Sequence, residues 1–186
     1  MIKILGVGWI KNGKYGLRKK CLTKQYNDLR SLYLKLKEAK IFKYTVENFA
    51  RFDQTSKLAS IVTALAFYDA GIIYARGGKK DIGIVAANKD GSLAAQVAYF
   101  KDYIDNGRIL GRGNLFIYTL PSSPLAEVAI HFGLSGPISY LSFPDDSENI
   151  GLVEYAKDIV RFQDVKVMAV LEFTAKAATC SIIGTT

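Results

Sequence analysis

The sequence predicts an α/β fold, with a mixed and mostly parallel sheet carrying helices on both faces. Three observations carry that expectation. Short apolar, β-branched runs alternate with longer segments of helical periodicity, the order that builds a largely parallel sheet. The helical segments carry recognisable start and stop residues. No repeat, low-complexity stretch or linker divides residues 1–186, so the chain reads as one domain, long enough to bury a core.

The elements follow in order. "IKILGVGWI" (2–10) is a first buried strand in which Gly6 and Gly8 imply close backbone approach. Residues 26–41 form a short surface helix. A stronger helix follows Asp53 or Thr55 as N-cap, runs through Leu58, Ile61, Val62 and Leu65, and stops at Gly71. Residues 79–92 read as a strand ending in a glycine turn, and 92–107 as an amphipathic helix closed by Asn106 and Gly107. In "LPSSPLAEVAIHFGLSGP" (120–137), Ser123 caps a helix, Pro124 takes its first position and Gly133 ends it. Strands are expected at 138–143 and 164–174, with "CSIIGTT" as a final or cut strand.

Composition narrows the function. Half the residues are hydrophobic and no apolar run reaches the roughly 18 residues that span a bilayer, so no membrane is expected. The N-terminal run has one Lys before it and no small-residue cleavage site, which reads as a strand rather than a signal peptide and implies a cytoplasmic protein. Cys21 and Cys180 are too few for a disulfide framework or a zinc site, and no metal or cofactor is expected. Against 17 acidic residues stand 25 basic ones, a net charge of +8, concentrated early and including Arg18, Lys19, Lys20 and Lys24. Such a balance favours acidic partners. Nucleic acid is disfavoured because no recognised motif accompanies the charge.

Between 136 and 160 the chain reads as strand, tight turn, helix. The turn holds Pro144, Asp145, Asp146 and Ser147, with no Cys or His beside it. Asp145 and Glu148 match a capping box and suit the positive end of a helix. The turn is too acidic and too poor in glycine to cradle phosphate. In the helix beyond, Glu154, Lys157, Asp158 and Arg161 fall on one face and Ile150, Val153, Ala156, Ile159 and Val160 occupy the rest, which predicts a solvated stripe.

Several segments, in order, resemble the N-terminal half of a β-ketoacyl synthase of the thiolase-like superfamily. Arg51-Phe52-Asp53 before an Ala-rich helix ending in Asp69-Ala70-Gly71 is one. "DIGIVAANKDGSLAAQVAYF" (81–100), the helix leading to Gly136-Pro137, and "ISYLSF" (138–143) are the others. The resemblance implies a thiolase-like half-fold, with residues 1–186 as a single ketosynthase N-terminal-like domain. It places the family's nucleophilic cysteine, poised at a helix N-terminus, near Asp145, where Asp145, Asp146 and Ser147 make a degenerate elbow. The family's histidines and lysine belong to a second half not present in this sequence, and His131 reads as a structural residue. The implied protein is a pseudo-enzyme: a non-catalytic subunit of fatty-acid or polyketide-type biosynthesis, aryl-polyene pathways included, similar to chain-length factors.

The family pairs across the strand 138–143, so Ile138, Tyr140 and Ser142 are expected near a partner, either a second copy or a full-length ketosynthase. Arg18, Lys19, Lys20 and Lys24 form the expected patch for an acyl carrier protein. The alternatives are an acyltransferase with relocated chemistry at Cys21 or Cys180, and a basic nucleic-acid binder.

Overall fold

The computed structural model describes residues 1–88, 90–107, 109, 111–141, 148–162, 165–174 and 176–185. Strand β1 (Ile2–Lys11) turns back at Asn12 and Gly13, both in the left-handed region, and pairs with β2 (Lys14–Leu17). Positive φ at both centre positions is what a type I′ two-residue hairpin turn requires, and Asn-Gly supplies it cheaply. A second turn at Arg18–Cys21 leads to β3 (Leu22–Gln25). The sequence reading has no strands over 14–25; the hairpin signal sits inside a run noticed for its charge.

Helix α1 (Leu29–Glu38) is capped by Asp28, whose carboxylate accepts from the Ser31 amide at 2.9 Å. Helix α2 (Gln54–Ala70) starts at Asp53, as expected, with the same contact to Ser56, and stops at Gly71 with φ near +73°. Strand β4 (Gly83–Ala87) is followed by α3 (Leu93–Asp105), a short α4 (Gly113–Phe116), α5 (Ser123–Phe132) and β5 (Ile138–Leu141). The start of α5 differs from expectation. Ser122 takes the cap position, Ser123 is the first helical residue with its hydroxyl donated to the Ile117 carbonyl, and Pro124 follows, where a missing N–H costs nothing. Helix α6 (Glu148–Phe162) follows, then the hairpin of β6 (Val167–Phe173) with β7 (Ala178–Thr185), which puts residues 178–185 in a strand paired with β6.

Seven strands among the described residues make one sheet in the order β3-β2-β1-β7-β6-β4-β5. It is mixed, as expected, but the parallel share is smaller than expected. Only β4–β5 and β4–β6 are parallel; the other four ladders are antiparallel. Parallel pairing needs a long crossover, and the segments carrying α3–α5 and α6 supply those that link β4, β5 and β6.

Helices do cover both faces. Ile84 and Ala86 of β4 point into a core with α1, α2 and α5, while Val85 and Ala87 point into a smaller one with α6. Helix α2 is buried almost all round. A Cβ at Gly8 would overlap Leu65, and one at Gly6 would overlap the backbone at Ala70, so the close approach expected of both glycines is real. On α6, Leu152, Ala156, Ile159 and Val160 pack on the sheet. Glu154–Lys157 and Asp158–Arg161 pair across one helical turn at 2.6 and 3.1 Å on the outer side, the stripe the sequence predicts. Among the described residues no helix is long and apolar enough to cross a membrane.

Candidate functional site at the carboxyl edge of the sheet

Open α/β sheets collect ligands beyond the carboxyl ends of their parallel strands, where successive connections leave on opposite faces. Here the chain leaves β4 towards α3 and α5, and leaves β5 towards α6. At the end of β4, Asn88 organises the turn: its Nδ2 donates to the Gly91 carbonyl at 2.6 Å and its Oδ1 accepts from the Asp90 amide at 3.0 Å. Tyr140 of β5 donates its hydroxyl to the Asn88 carbonyl at 3.1 Å, tying the two strand ends together. A cavity of about 250 Å³ opens there, between the start of α2 and the inner side of α3, with Asp53, Asp90, Ser92, Ala95, Tyr118 and Phe173 among its walls.

The electrostatics of this cavity are acidic. Tyr118 donates to Glu127 at 3.3 Å, and burial, the neighbouring Glu127 and Asp53 push its phenol up to about 12. Burial, together with Asp53, also raises the Glu127 carboxyl, partly offset by the Tyr118 hydrogen bond. The Ser92 hydroxyl is engaged, donating to the Thr119 carbonyl and accepting from Gln96. Such walls suit an apolar or cationic guest better than a phosphate.

The chain's thiols and its imidazole lie elsewhere. Cys180 is wholly buried in β7, where burial pushes its thiol up to about 12 against a smaller opposing effect of Thr63. Cys21 sits exposed on the β2–β3 turn with its sulfur towards the Arg18 carbonyl. His131 lies on α5 among Phe42, Tyr44, Tyr74 and Phe132, and burial depresses it to about 4.

Asp145, Asp146 and Ser147 of the elbow, and Ser142, lie outside the described residues. Ile138 and Tyr140 belong to β5, an edge strand of the sheet. Ile138 is 49% exposed, and Ser139 lies 3.3 Å from the Tyr155 hydroxyl of α6. Arg18, Lys19 and Lys20 are exposed on the β2–β3 turn and Lys24 on β3, at the opposite edge. The structure therefore separates the two surfaces by the width of the sheet.

Two features escape the sequence reading. Along α3, Leu93, Val97, Phe100 and Ile104 all stand exposed, and the helix has no buried residue. Their spacing of four, three and four marks one face and is visible in the sequence; that this face points outward is not. Asp69, the acid of the Asp-Ala-Gly triplet, is buried and accepts from the Val7 amide at 2.9 Å and from the Lys19 and Lys20 amides at 3.0 and 3.2 Å. It latches the basic turn to the end of α2.

The sequence matches no protein-family model and no curated protein. Solved structures do match. A chain of the complex between a ketosynthase and its chain length factor from Xenorhabdus doucetiae aligns with 100% of this chain and 79% of its own length. It does so at 12% identity and a TM-score of 0.64. A β-ketoacyl synthase from Burkholderia phymatum STM815 aligns with 100% of this chain and 59% of its own, at 12% identity and a TM-score of 0.66. A chain from the complex of a type II polyketide synthase acyl-carrier protein with its ketosynthase aligns with 99% and 58%, at 11% identity and a TM-score of 0.63. The chain thus spans under two thirds of the length of two of these three. What these likenesses define first is a class: a thiolase-like α/β fold. Within that class the fold is that of the β-ketoacyl synthases and their chain-length-factor complexes.

Proposed function

We propose that this chain is a non-catalytic ketosynthase-like subunit of fatty-acid or polyketide-type biosynthesis, of the kind that serves aryl-polyene pathways. It acts by pairing with a complete synthase. The observation that carries the reading is the β5 edge. Ile138, Ser139, Tyr140 and Leu141 present an uncharged strand at the border of the sheet, with Ile138 half exposed. An uncharged edge strand of this kind can accept another strand. The outward apolar face of α3 supplies further area for a partner. In the complexes from Xenorhabdus doucetiae and from the type II system, a ketosynthase is bound to a chain length factor or to an acyl-carrier protein. Our reading assigns the pairing with a synthase to β5 and the docking of an acidic carrier protein to Arg18, Lys19, Lys20 and Lys24. The catalytic step would then belong to the partner, in keeping with a buried Cys180 whose thiol resists ionisation.

Size-exclusion chromatography with light scattering tests this, with the chain alone and mixed with ketosynthases and carrier proteins from the same organism. A stable one-to-one complex with a synthase is expected, lost on Ile138→Lys. A self-pair lost on the same substitution would replace the heterodimer by a homodimer. A monomer that ignores every synthase and carrier protein would end the proposal.

A further inference from the structure

A second concavity lies on the outer side of the helical layer and shares no wall residue with the cavity at the sheet edge. It is a cleft of about 320 Å³ between α5 and the segment 44–48, walled by Val46, Phe52, Glu127, Ile130 and His131. Through Tyr44, Thr45, Glu47 and Arg76 it is continuous with a basin of about 600 Å³. Lys37, Lys40 and Lys43 line that basin beside Arg76 and Glu47. Arg76 and Glu47 pair with each other at the surface. The three lysines form no ion pair with a carboxylate among the described residues, and four cations against Glu47 and Glu127 leave cleft and basin together with an excess of positive charge.

The cleft has its own unpaired group. His131 is only 7% exposed, its ring is 4.5 Å from that of Tyr44 and 4.7 Å from that of Phe132, and burial keeps it uncharged at neutral pH. Its backbone carbonyl accepts the Tyr44 hydroxyl, yet its Nε2 makes no hydrogen bond to any described residue. That nitrogen is closed to solvent, so a guest in the cleft would meet the rest of the ring rather than Nε2.

Together these features specify a guest with two parts. One singly charged anion needs a single cation; a basin of three lysines and an arginine suits several negative oxygens held together. An aromatic-walled cleft suits a flat ring laid against its walls. We propose that the cleft and basin bind a nucleoside polyphosphate, with the phosphates on Lys37, Lys40 and Lys43 and the heterocycle against His131. This goes beyond the pairing function and does not depend on it, because the β5 edge contributes nothing to these walls.

The test uses the full chain with three probes: adenosine triphosphate, inorganic pyrophosphate and a short DNA oligonucleotide. His131 is the only histidine in the sequence, so imidazole nitrogen NMR reads the cleft without assignment, while calorimetry reads affinity. Adenosine triphosphate is expected to bind about tenfold more tightly than pyrophosphate, or about 1.4 kcal/mol, and to shift the His131 resonance, which pyrophosphate leaves in place. The double substitution Lys40→Glu/Lys43→Glu is expected to weaken both by at least about tenfold. Ile130→Trp fills the cleft from a residue that is 78% exposed, so folding is not at stake. It is expected to cut adenosine triphosphate binding to the pyrophosphate level. Equal affinity for the two phosphates with a silent His131 would overturn the proposal. So would adenosine triphosphate binding that survives the lysine reversals, or DNA binding more tightly than either without moving His131.

Discussion

The two edges of the sheet are the same length and have opposite chemistry. β3, Leu22–Gln25, carries Lys24, follows a turn of Arg18, Lys19 and Lys20, and leaves three of its four residues exposed. β5, Ile138–Leu141, carries no charge. Six inter-strand gaps of about 4.8 Å put them roughly 30 Å apart. An edge strand offers free backbone donors and acceptors to any passing chain, and lysine is the common defence. One edge carries that defence and the other, among the described residues, carries no charge, and the proposed pairing through β5 rests on this contrast. The basic turn is also held rigidly, since the carboxylate of Asp69 fixes its backbone from behind. A charge cluster on a pinned turn presents a fixed pattern to a partner.

The contrast can be broken most directly at β5. Ile138→Lys is expected to weaken pairing with a synthase by about a hundredfold, close to 3 kcal/mol, whereas Thr23→Lys on β3 leaves it unchanged. Equal effects in light scattering at the two edges would erase the distinction. Asp69→Asn comes next. Replacing a charge acceptor that serves three backbone donors costs about 1–3 kcal/mol of stability and speeds hydrogen exchange at the Lys19 and Lys20 amides, with β5 unaffected. Phe100→Asp on the outward face of α3 is expected to weaken pairing about tenfold. Because Phe100 is 62% exposed, the melting temperature stays put, and a fall there would show that the face is internal.

Reversing Arg18, Lys19, Lys20 and Lys24 lowers carrier-protein affinity severalfold and flattens its dependence on salt, while pairing through β5 persists. The smallest effect is a control on the core between the edges. Burial lowers His131 from 6.5 to about 4, so the unfolded chain takes up its proton first as pH falls. Stability therefore declines between about pH 6.5 and about pH 4 and is level above that window. His131→Phe should flatten that part of a melting-temperature profile.

Much of this was legible in the residues. Asp53 and Gly71 bracket α2 as a cap and a left-handed stop, because both roles are local and depend on one or two side chains. Gly6 and Gly8 announced a close approach, though not that α2 was what approached. The solvated stripe of α6 followed from periodicity, since a helix with charges on one side has one place to put them. The hairpins at 11–25 were written as plainly, in Asn12-Gly13, but were masked by the charge around them. The apolar face of α3 shows the limit of periodicity: spacing identifies a face, and only the rest of the fold decides whether it turns in or out. Asp69 was beyond reach for another reason. Its partners lie about fifty and sixty residues away, and no local pattern encodes a contact of that span. At the sheet-edge cavity, likewise, Tyr118 and Glu127 meet only once α5 is in place.

Strand β1 lies between β2 and β7, with Ile2 paired to Thr185. The centre of the sheet is thus a seam between the first strand made and the last one described. Until β7 arrives, β1 keeps one bare edge and so does β6, both lined with apolar side chains. Joining them closes a loop of almost the whole chain, the kind of step that slows folding. A newly made chain therefore carries three sticky edges rather than one. Among the described residues, β5 is the uncharged edge that remains after the other two have found each other.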